Sequence, residues 1–166
     1  QGGSERYSGP RDVGSVTSFG PDVANLRNLV RQVVRPEPGT PVVLVSQADG
    51  MVTAVRALES GLRVDGLIAA SPVLAPRRML PGRITPAPGW SREAPDDLAG
   101  GLTHDPWRGQ VRKAWQTANP DLRMAGPASS WRKAYEAASR AAEAEADRVR
   151  TPILMLNPGA PEAELC

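Results

Sequence analysis

Two mostly apolar runs of strand length lie on either side of a helical pattern in the first half of the chain. The runs cover residues 41–45 and 64–70, and between them apolar residues recur at helical spacing over 51–58, followed by Gly61 as the expected C-cap. The first run, PVVLV, is continuous and rich in β-branched residues, which is typical of a parallel strand that is buried on both faces. The pattern therefore predicts a β-α-β unit with a parallel sheet, and hence an α/β fold.

Further helices are predicted before and after this unit. Residues 19–34 carry apolar side chains at helical spacing and end at the Pro- and Gly-containing segment 36–39. A second helix is predicted to begin at Asp105 and Pro106, as N-cap and first helical residue. A third spans about 130–149 and precedes a short third strand at 153–156. Residues 75–105 lack a regular pattern and are predicted to be irregular.

The last two of these helices have different apolar faces. One face of the helix after Asp105 is predicted to form core, and the helix over 130–149 has a weaker apolar face. The residues of the first face are Trp107, Val111, Trp115 and Ala118, and those of the second are Trp131, Tyr135, Ala138 and Ala142.

Composition narrows the function classes. Hydrophobic residues make up 40% and charged residues 23% of the 166 positions, which is typical of a globular domain, and no apolar stretch approaches the roughly 20 residues of a membrane-spanning helix. The net charge of +2 comes from interleaved charges, and aromatic residues are only 4%. Because nucleic-acid binders usually cluster their cations among aromatics, no nucleic-acid partner is expected.

The chain contains one cysteine, Cys166, and one histidine, His104. One cysteine excludes a disulfide within the chain, and these two residues cannot supply a zinc ligand set. No metal site and no cofactor are expected. His104 is interpreted as a surface or packing residue rather than a catalytic one.

The junction between the first predicted strand and its helix is the most informative segment. It consists of Ser46, Gln47, Ala48, Asp49 and Gly50. A sharp strand-to-helix turn of this kind carries the nucleophile in the G-x-S-x-G motif, where small residues two positions before and after it allow the bend. The helix N-terminus then offers a positive dipole and an N–H group to a developing oxyanion.

Several stretches line up, in order, with one known family. Residues 1–4 match the end of an R-G-x-G-x-S loop, and residues 19–26 match the helix before the nucleophile strand. The next strand corresponds to residues 64–68 and 71–72, and the strand before the acid loop to residues 151–154. The cap corresponds to residues 102–105, 119–122 and Trp131. In this order they resemble the bacterial lysophospholipase and monoacylglycerol-lipase group of the α/β-hydrolases, a serine aminopeptidase-like family.

The resemblance implies a partial α/β-hydrolase fold with three parallel strands of a larger sheet. Residues 1–74 would form part of the core, 75–150 a helical cap inserted between the second and third strands, and 151–166 a core strand and the start of the acid loop. Caps of this family also shape an acyl pocket, so lining such a pocket is the alternative to cap core for the face with Trp107 and Trp115. The implied activity is serine-dependent hydrolysis of carboxylic esters of lipids, with a small lipid ester as partner and no cofactor. A cytoplasmic or peripherally membrane-associated protein is expected, and the oligomeric state is left open.

The chain departs from this family at the positions that matter for catalysis. The nucleophile serine falls on Ala48, and the acid falls on Pro161, with Glu162 beside it as a stand-in. The family's histidine is expected beyond Cys166, and its first oxyanion donor before Gln1. A methyl group cannot attack a carbonyl, so the resemblance implies a chain that is inactive as it stands.

Three interpretations remain open from the sequence. The first is a serine hydrolase of lipid esters that has lost its nucleophile. The second is a non-catalytic homologue that binds a lipid-like ligand or a protein partner. The third is a relocated nucleophile at Ser46 or Asp49, although the Ser46 hydroxyl is expected to lie on the strand and Asp49 to cap the following helix.

Overall fold

The computed structural model describes residues 13–34, 37–74, 90–94 and 105–157. The α-helices are α1 (Gly20–Asn28), α2 (Gly50–Glu59), α3 (Pro106–Ala118) and α4 (Ser129–Ala144), and the strands are β1 (Val43–Gln47), β2 (Gly66–Ala70) and β3 (Ile153–Leu156). A π-helical segment, Leu29–Val34, continues α1, and 3-10 turns lie at Pro120–Leu122 and Ala146–Arg148.

The described strands form one parallel sheet in the order β1-β2-β3. Val43 pairs with Gly66 at the start of the β1-β2 ladder, and Ala70 pairs with Leu156 at the end of the β2-β3 ladder. The connection from β1 through α2 to β2 is the predicted β-α-β unit, and α3 and α4 lie between β2 and β3 in sequence. The predicted partial α/β-hydrolase fold is therefore confirmed.

The core lies on one face of this sheet. On this face, the apolar side of α2 and one residue of α4 pack against side chains of β2. The buried residues of this cluster are Met51, Ala54, Val55, Leu58, Leu67, Ala69 and Ala142. A second cluster packs the π-helical segment against α2 and the turn that follows it, through Val30, Ala57 and Leu62. This packing fixes α2, and with it the junction at the end of β1.

The opposite face of the sheet differs from the prediction. Val45 is 73% exposed, and Val43, Leu154 and Leu156 are each about half exposed. Side chains alternate between the two faces of a strand, and α2 covers only the face of Leu44 and Ser46. The prediction that the first strand is buried on both faces is therefore wrong for the described structure.

The helices begin and end near their predicted positions. The helical pattern over 19–34 is confirmed, although its last turn and a half winds as a π-helix rather than an α-helix. α4 buries Trp131, Tyr135 and Ala142, as its apolar pattern predicts. The Trp131 and Tyr135 rings are stacked with centroids 5.0 Å apart, and the Phe19 ring meets both edge-on.

α3 begins as predicted but does not bury its apolar face. The Asp105 side chain accepts hydrogen bonds from the backbone N–H groups of Trp107 (2.9 Å) and Arg108 (3.4 Å), which confirms the N-cap. However, no α3 residue is buried, and Trp107 and Trp115 are 69% and 62% exposed. The prediction that this face forms core is therefore wrong.

The chain divides into two compact units. The described part of one unit contains the sheet, α1, α2 and α4, in residues 16–34, 37–74 and 129–157. The described part of the other consists of residues 13–15, 90–94 and 105–128, which include α3. Within the second unit, the backbone of Gly14 pairs with Gly126 and Ala128, and Arg123 donates hydrogen bonds to the carbonyl oxygens of Ser91 and Arg92.

Candidate active site at the end of the first strand

The turn between β1 and α2 has the sharp geometry that the sequence predicts. β1 ends at Gln47 and α2 begins at Gly50, which leaves Ala48 and Asp49 as the turn, called here the elbow turn. Ala48 has a φ of 48°, a left-handed conformation that non-glycine residues rarely adopt. The chain holds a strained residue at the tip of this turn, and strain of this kind clusters at functional sites.

Backbone hydrogen bonds hold Ala48 in this conformation. Its N–H group donates to the carbonyl oxygen of Ala70 at the end of β2 (3.0 Å), and its own carbonyl oxygen accepts from Val73 (3.2 Å) and Met51 (3.3 Å). The elbow turn is therefore tied to α2 on one side. On the other side it is tied to the segment that leaves β2, residues 71–74, called here the β2-exit segment.

Ser46 faces away from the tip of the elbow turn. It is a β1 residue whose side chain lies on the covered face of the sheet, 8% exposed, and its hydroxyl donates to the sulfur of Met51 at 3.6 Å. The expectation that this hydroxyl lies on the strand is confirmed. Its position on the core side is unsuitable for attack on an external carbonyl.

Asp49 occupies the N-cap position of α2, but its side chain makes no capping hydrogen bond. The predicted capping role is therefore wrong. An N-cap residue normally has extended backbone angles, as Asp105 has, whereas Asp49 is helical with φ −64° and ψ −19°. The helical backbone does not direct its carboxylate onto the first N–H groups of α2.

Tyr135 of α4 supports the elbow turn through the β2-exit segment. The Tyr135 hydroxyl donates a hydrogen bond to the carbonyl oxygen of Val73. The N–H group of Val73 in turn donates to the carbonyl oxygen of Ala48. Burial, with a further contribution from the negative charge of Asp49, raises the pKa of Tyr135 to about 12. The sequence places Tyr135 on a buried helical face but gives no sign of this contact.

Comparison with known families agrees with this geometry. A family model described as serine aminopeptidase, S33, matches residues 1–161. The chain belongs to this family. It is therefore an α/β-hydrolase of the serine hydrolase type. No curated protein and no solved structure shows significant similarity to it.

Several candidate residues of this S33 family member lie outside the described part of the structure. These are His104, Pro161 and Glu162. Among the described residues, no group of three or more His, Cys, Asp or Glu side chains is arranged to hold a metal ion. In the same residues, no helix has the length and apolar character needed to cross a membrane.

The remaining elbow positions are on the surface. Gln47 is exposed at the end of β1, and Gly50 is exposed as the first residue of α2. A methyl group added at Gly50 would meet no described heavy atom within 4 Å. In the described surroundings, the tight bend therefore depends on the conformation of Ala48 rather than on lack of space at Gly50.

The left-handed conformation of Ala48 predicts an unusual response to glycine. Ala48→Gly is expected to stabilise the protein by about 1 kcal/mol, because glycine adopts a positive φ without steric cost. The matched control is Ala24→Gly on the exposed side of α1, which is expected to destabilise by about 1 kcal/mol. Urea unfolding of the two variants measures both changes. A loss of stability in Ala48→Gly would contradict the positive φ.

Tyr135 is expected to ionise late in an alkaline titration. Near-ultraviolet absorbance of tyrosinate should show one group titrating near pH 12, and this group should be missing in Tyr135→Phe. Because the folded-state pKa is raised above the ordinary value of 10, the associated stability is present below about pH 10 and is lost as the pH rises toward 12. Ionisation of both tyrosines near pH 10 in the folded protein would contradict the burial of Tyr135.

Proposed function

We propose that this protein is a lysophospholipase- or monoacylglycerol lipase-like member of the S33 family whose nucleophile position is occupied by Ala48. As it stands, it would not hydrolyse esters through the family mechanism. One observation carries the proposal: Ala48 lies at the tip of a sharp strand-to-helix turn with a φ of 48°. This is where a G-x-S-x-G motif places its serine.

The chemistry of the elbow turn supports inactivity. In a serine hydrolase the serine oxygen attacks the ester carbonyl, a histidine takes its proton, and an acid orients that histidine. The side chain of Ala48 ends in a methyl group, which has no lone pair and no acidic proton. The first step of acyl transfer therefore has no nucleophile at this position.

Part of the oxyanion-stabilising arrangement is nevertheless retained. In this fold the N–H group of the residue after the nucleophile binds the developing oxyanion. The corresponding N–H group belongs to Asp49, at the N-terminal end of α2, and it donates to no described residue. The elbow turn could therefore still receive a carbonyl or carboxylate oxygen.

This retained donor favours a second candidate function. A protein that keeps the elbow turn without its nucleophile can bind a lipid-like ligand and leave it intact. Resemblance to the lipase group supports a lipid ester as the ligand class, and residues 75–150 are proposed as the cap that would cover it. A cytoplasmic or peripherally membrane-associated location remains part of the proposal.

Ala48→Ser in the full-length protein distinguishes the two candidates. The left-handed backbone already accommodates a Cβ atom at this position, so the added hydroxyl should not change the fold. If only the nucleophile has been lost, we expect the variant to gain turnover of a short-chain nitrophenyl ester over the wild type. If the variant shows no ester turnover while the protein binds a lysophospholipid or monoacylglycerol, the binding function is supported and the lost-nucleophile account is rejected.

A further inference from the structure

α3 presents its apolar residues to solvent. Trp107, Val111 and Trp115 are spaced four residues apart, so they lie along one side of the helix, called here the α3 apolar face. They are 69%, 47% and 62% exposed. Two tryptophans on one exposed helical face form a patch that soluble surfaces rarely carry without a partner.

The side of α3 opposite its apolar face is the less exposed side. Gly109 and Gln116 are its only half-buried residues, and every other α3 residue is exposed. With 3.6 residues per turn, these two positions lie together and roughly opposite the middle of the α3 apolar face. The helix therefore turns a polar side inward and an apolar side outward, the reverse of an ordinary surface helix.

The charge of α3 has a single sign. Arg108, Arg112 and Lys113 lie within Pro106–Ala118, which contains no acidic residue. Arg108 and Arg112 each follow a residue of the α3 apolar face, so they border it on one side. Lys113 lies on the opposite side of the helix, near Gly109. Asp105, just before the helix, caps its N-terminus, and its Oδ2 atom lies 3.7 Å from Nε of Arg108.

We propose that α3 docks its apolar face on an anionic lipid surface. Tryptophan rings combine an apolar body with a polar N–H group and are favoured where hydrocarbon meets water. Arginine side chains beside such a face attract anionic headgroups, and a helix with this distribution lies in the plane of the interface. At 13 residues α3 is too short to span a bilayer, which agrees with a docked orientation.

Charge argues against a second copy of this chain as the partner. Two α3 helices packed antiparallel through their apolar faces would bring Arg108 and Arg112 of each copy close to the same residues of the other. No acidic residue of α3 could offset this repulsion. A negatively charged surface removes the conflict and covers the tryptophans at the same time.

Vesicle sedimentation of the full-length protein tests the proposal. We expect binding to vesicles of phosphatidylcholine with phosphatidylglycerol, and at least about tenfold weaker binding to phosphatidylcholine alone or at high salt. Trp107→Ala combined with Trp115→Ala should abolish the binding without changing the circular dichroism spectrum. The matched control Val33→Ala, which shortens an apolar side chain that is 71% exposed elsewhere, should leave it unchanged.

The charge requirement is tested separately. Arg108→Gln and Arg112→Gln should each weaken binding to the anionic vesicles more than Lys113→Gln, which removes the same charge on the far side of the helix. Equal binding to neutral and anionic vesicles, or binding that survives the double tryptophan variant, would overturn the proposal. A concentration-dependent dimer that the tryptophan changes dissociate, without vesicle binding, would overturn it in favour of self-association. None of these outcomes depends on ester hydrolysis.

Discussion

We expect the wild-type protein to hydrolyse a short-chain nitrophenyl ester no faster than a serine hydrolase whose catalytic serine has been removed. Loss of the serine from a complete catalytic triad lowers kcat by about 10⁶-fold, leaving the contribution of oxyanion binding and substrate positioning. Ala48 has no atom that can form the acyl intermediate. Initial rates of nitrophenol release, compared with those of an S33 family member with an intact serine, measure this difference.

Ser46 and Asp49, the two candidates for a relocated nucleophile, provide the controls for this assay. Ser46 donates its hydroxyl to Met51 inside the core, and Asp49 lies beside the tip of the turn. Ser46→Ala and Asp49→Asn are therefore expected to leave the background rate unchanged. Wild-type turnover above background that either substitution removes would show a relocated nucleophile and contradict the account.

Trp131→Ala is expected to destabilise the protein by about 3–5 kcal/mol, the usual cost of removing a large buried aromatic side chain. Trp131 is 8% exposed, and its ring stacks on Tyr135, whose hydroxyl supports the β2-exit segment. The loss should therefore also disturb the elbow turn, because that segment hydrogen-bonds to Ala48. Urea unfolding followed by circular dichroism measures the free energy of unfolding.

Trp115→Ala is the matched control for this measurement. It removes the same side chain from a position that is 62% exposed, so we expect a change within about 0.5 kcal/mol. A similar large loss for both variants would show that α3 packs its tryptophans in solution. That result would also remove the exposed patch on which the lipid-docking proposal rests.

Local sequence signals predict the part of the fold that positions the elbow turn. The runs at 41–45 and 64–70, with a helical pattern between them, predict the parallel β1-α2-β2 unit because each pattern is set by neighbouring residues. The Asp-Pro pair at 105–106 predicts the start of α3 for the same reason. A capping side chain and the N–H groups it binds are only two or three residues apart.

The expectations that are wrong concern which faces are covered. Apolar character predicts that Val45 and Trp115 are buried, but burial depends on whether another element packs there. The sequence pattern of one strand or helix does not contain that information. The capping role of Asp49 is wrong for a different reason: residue type predicts it, whereas the helical backbone angles of Asp49 prevent it.

The sequence predicts the elbow turn of the candidate site but not the contact of Tyr135 that supports it. The order of small and polar residues around Ala48 indicates the elbow turn, because the motif is local. The support from Tyr135 is not visible, since its partner Val73 lies 62 residues away and meets it only after the sheet and α4 have packed. Its burial follows from helical spacing, but its hydrogen bond follows only from the tertiary structure.

The most direct test of the proposal that Ala48 occupies the nucleophile position is a mass measurement after treatment with a fluorophosphonate, which labels activated serines covalently. An S33 family member with an intact serine serves as the positive control and should gain one adduct. We predict that the wild-type protein gains no adduct, because Ala48 has no oxygen and the Ser46 hydroxyl faces the core. A stoichiometric adduct on the wild-type chain, mapped to any serine by peptide sequencing, would contradict the account.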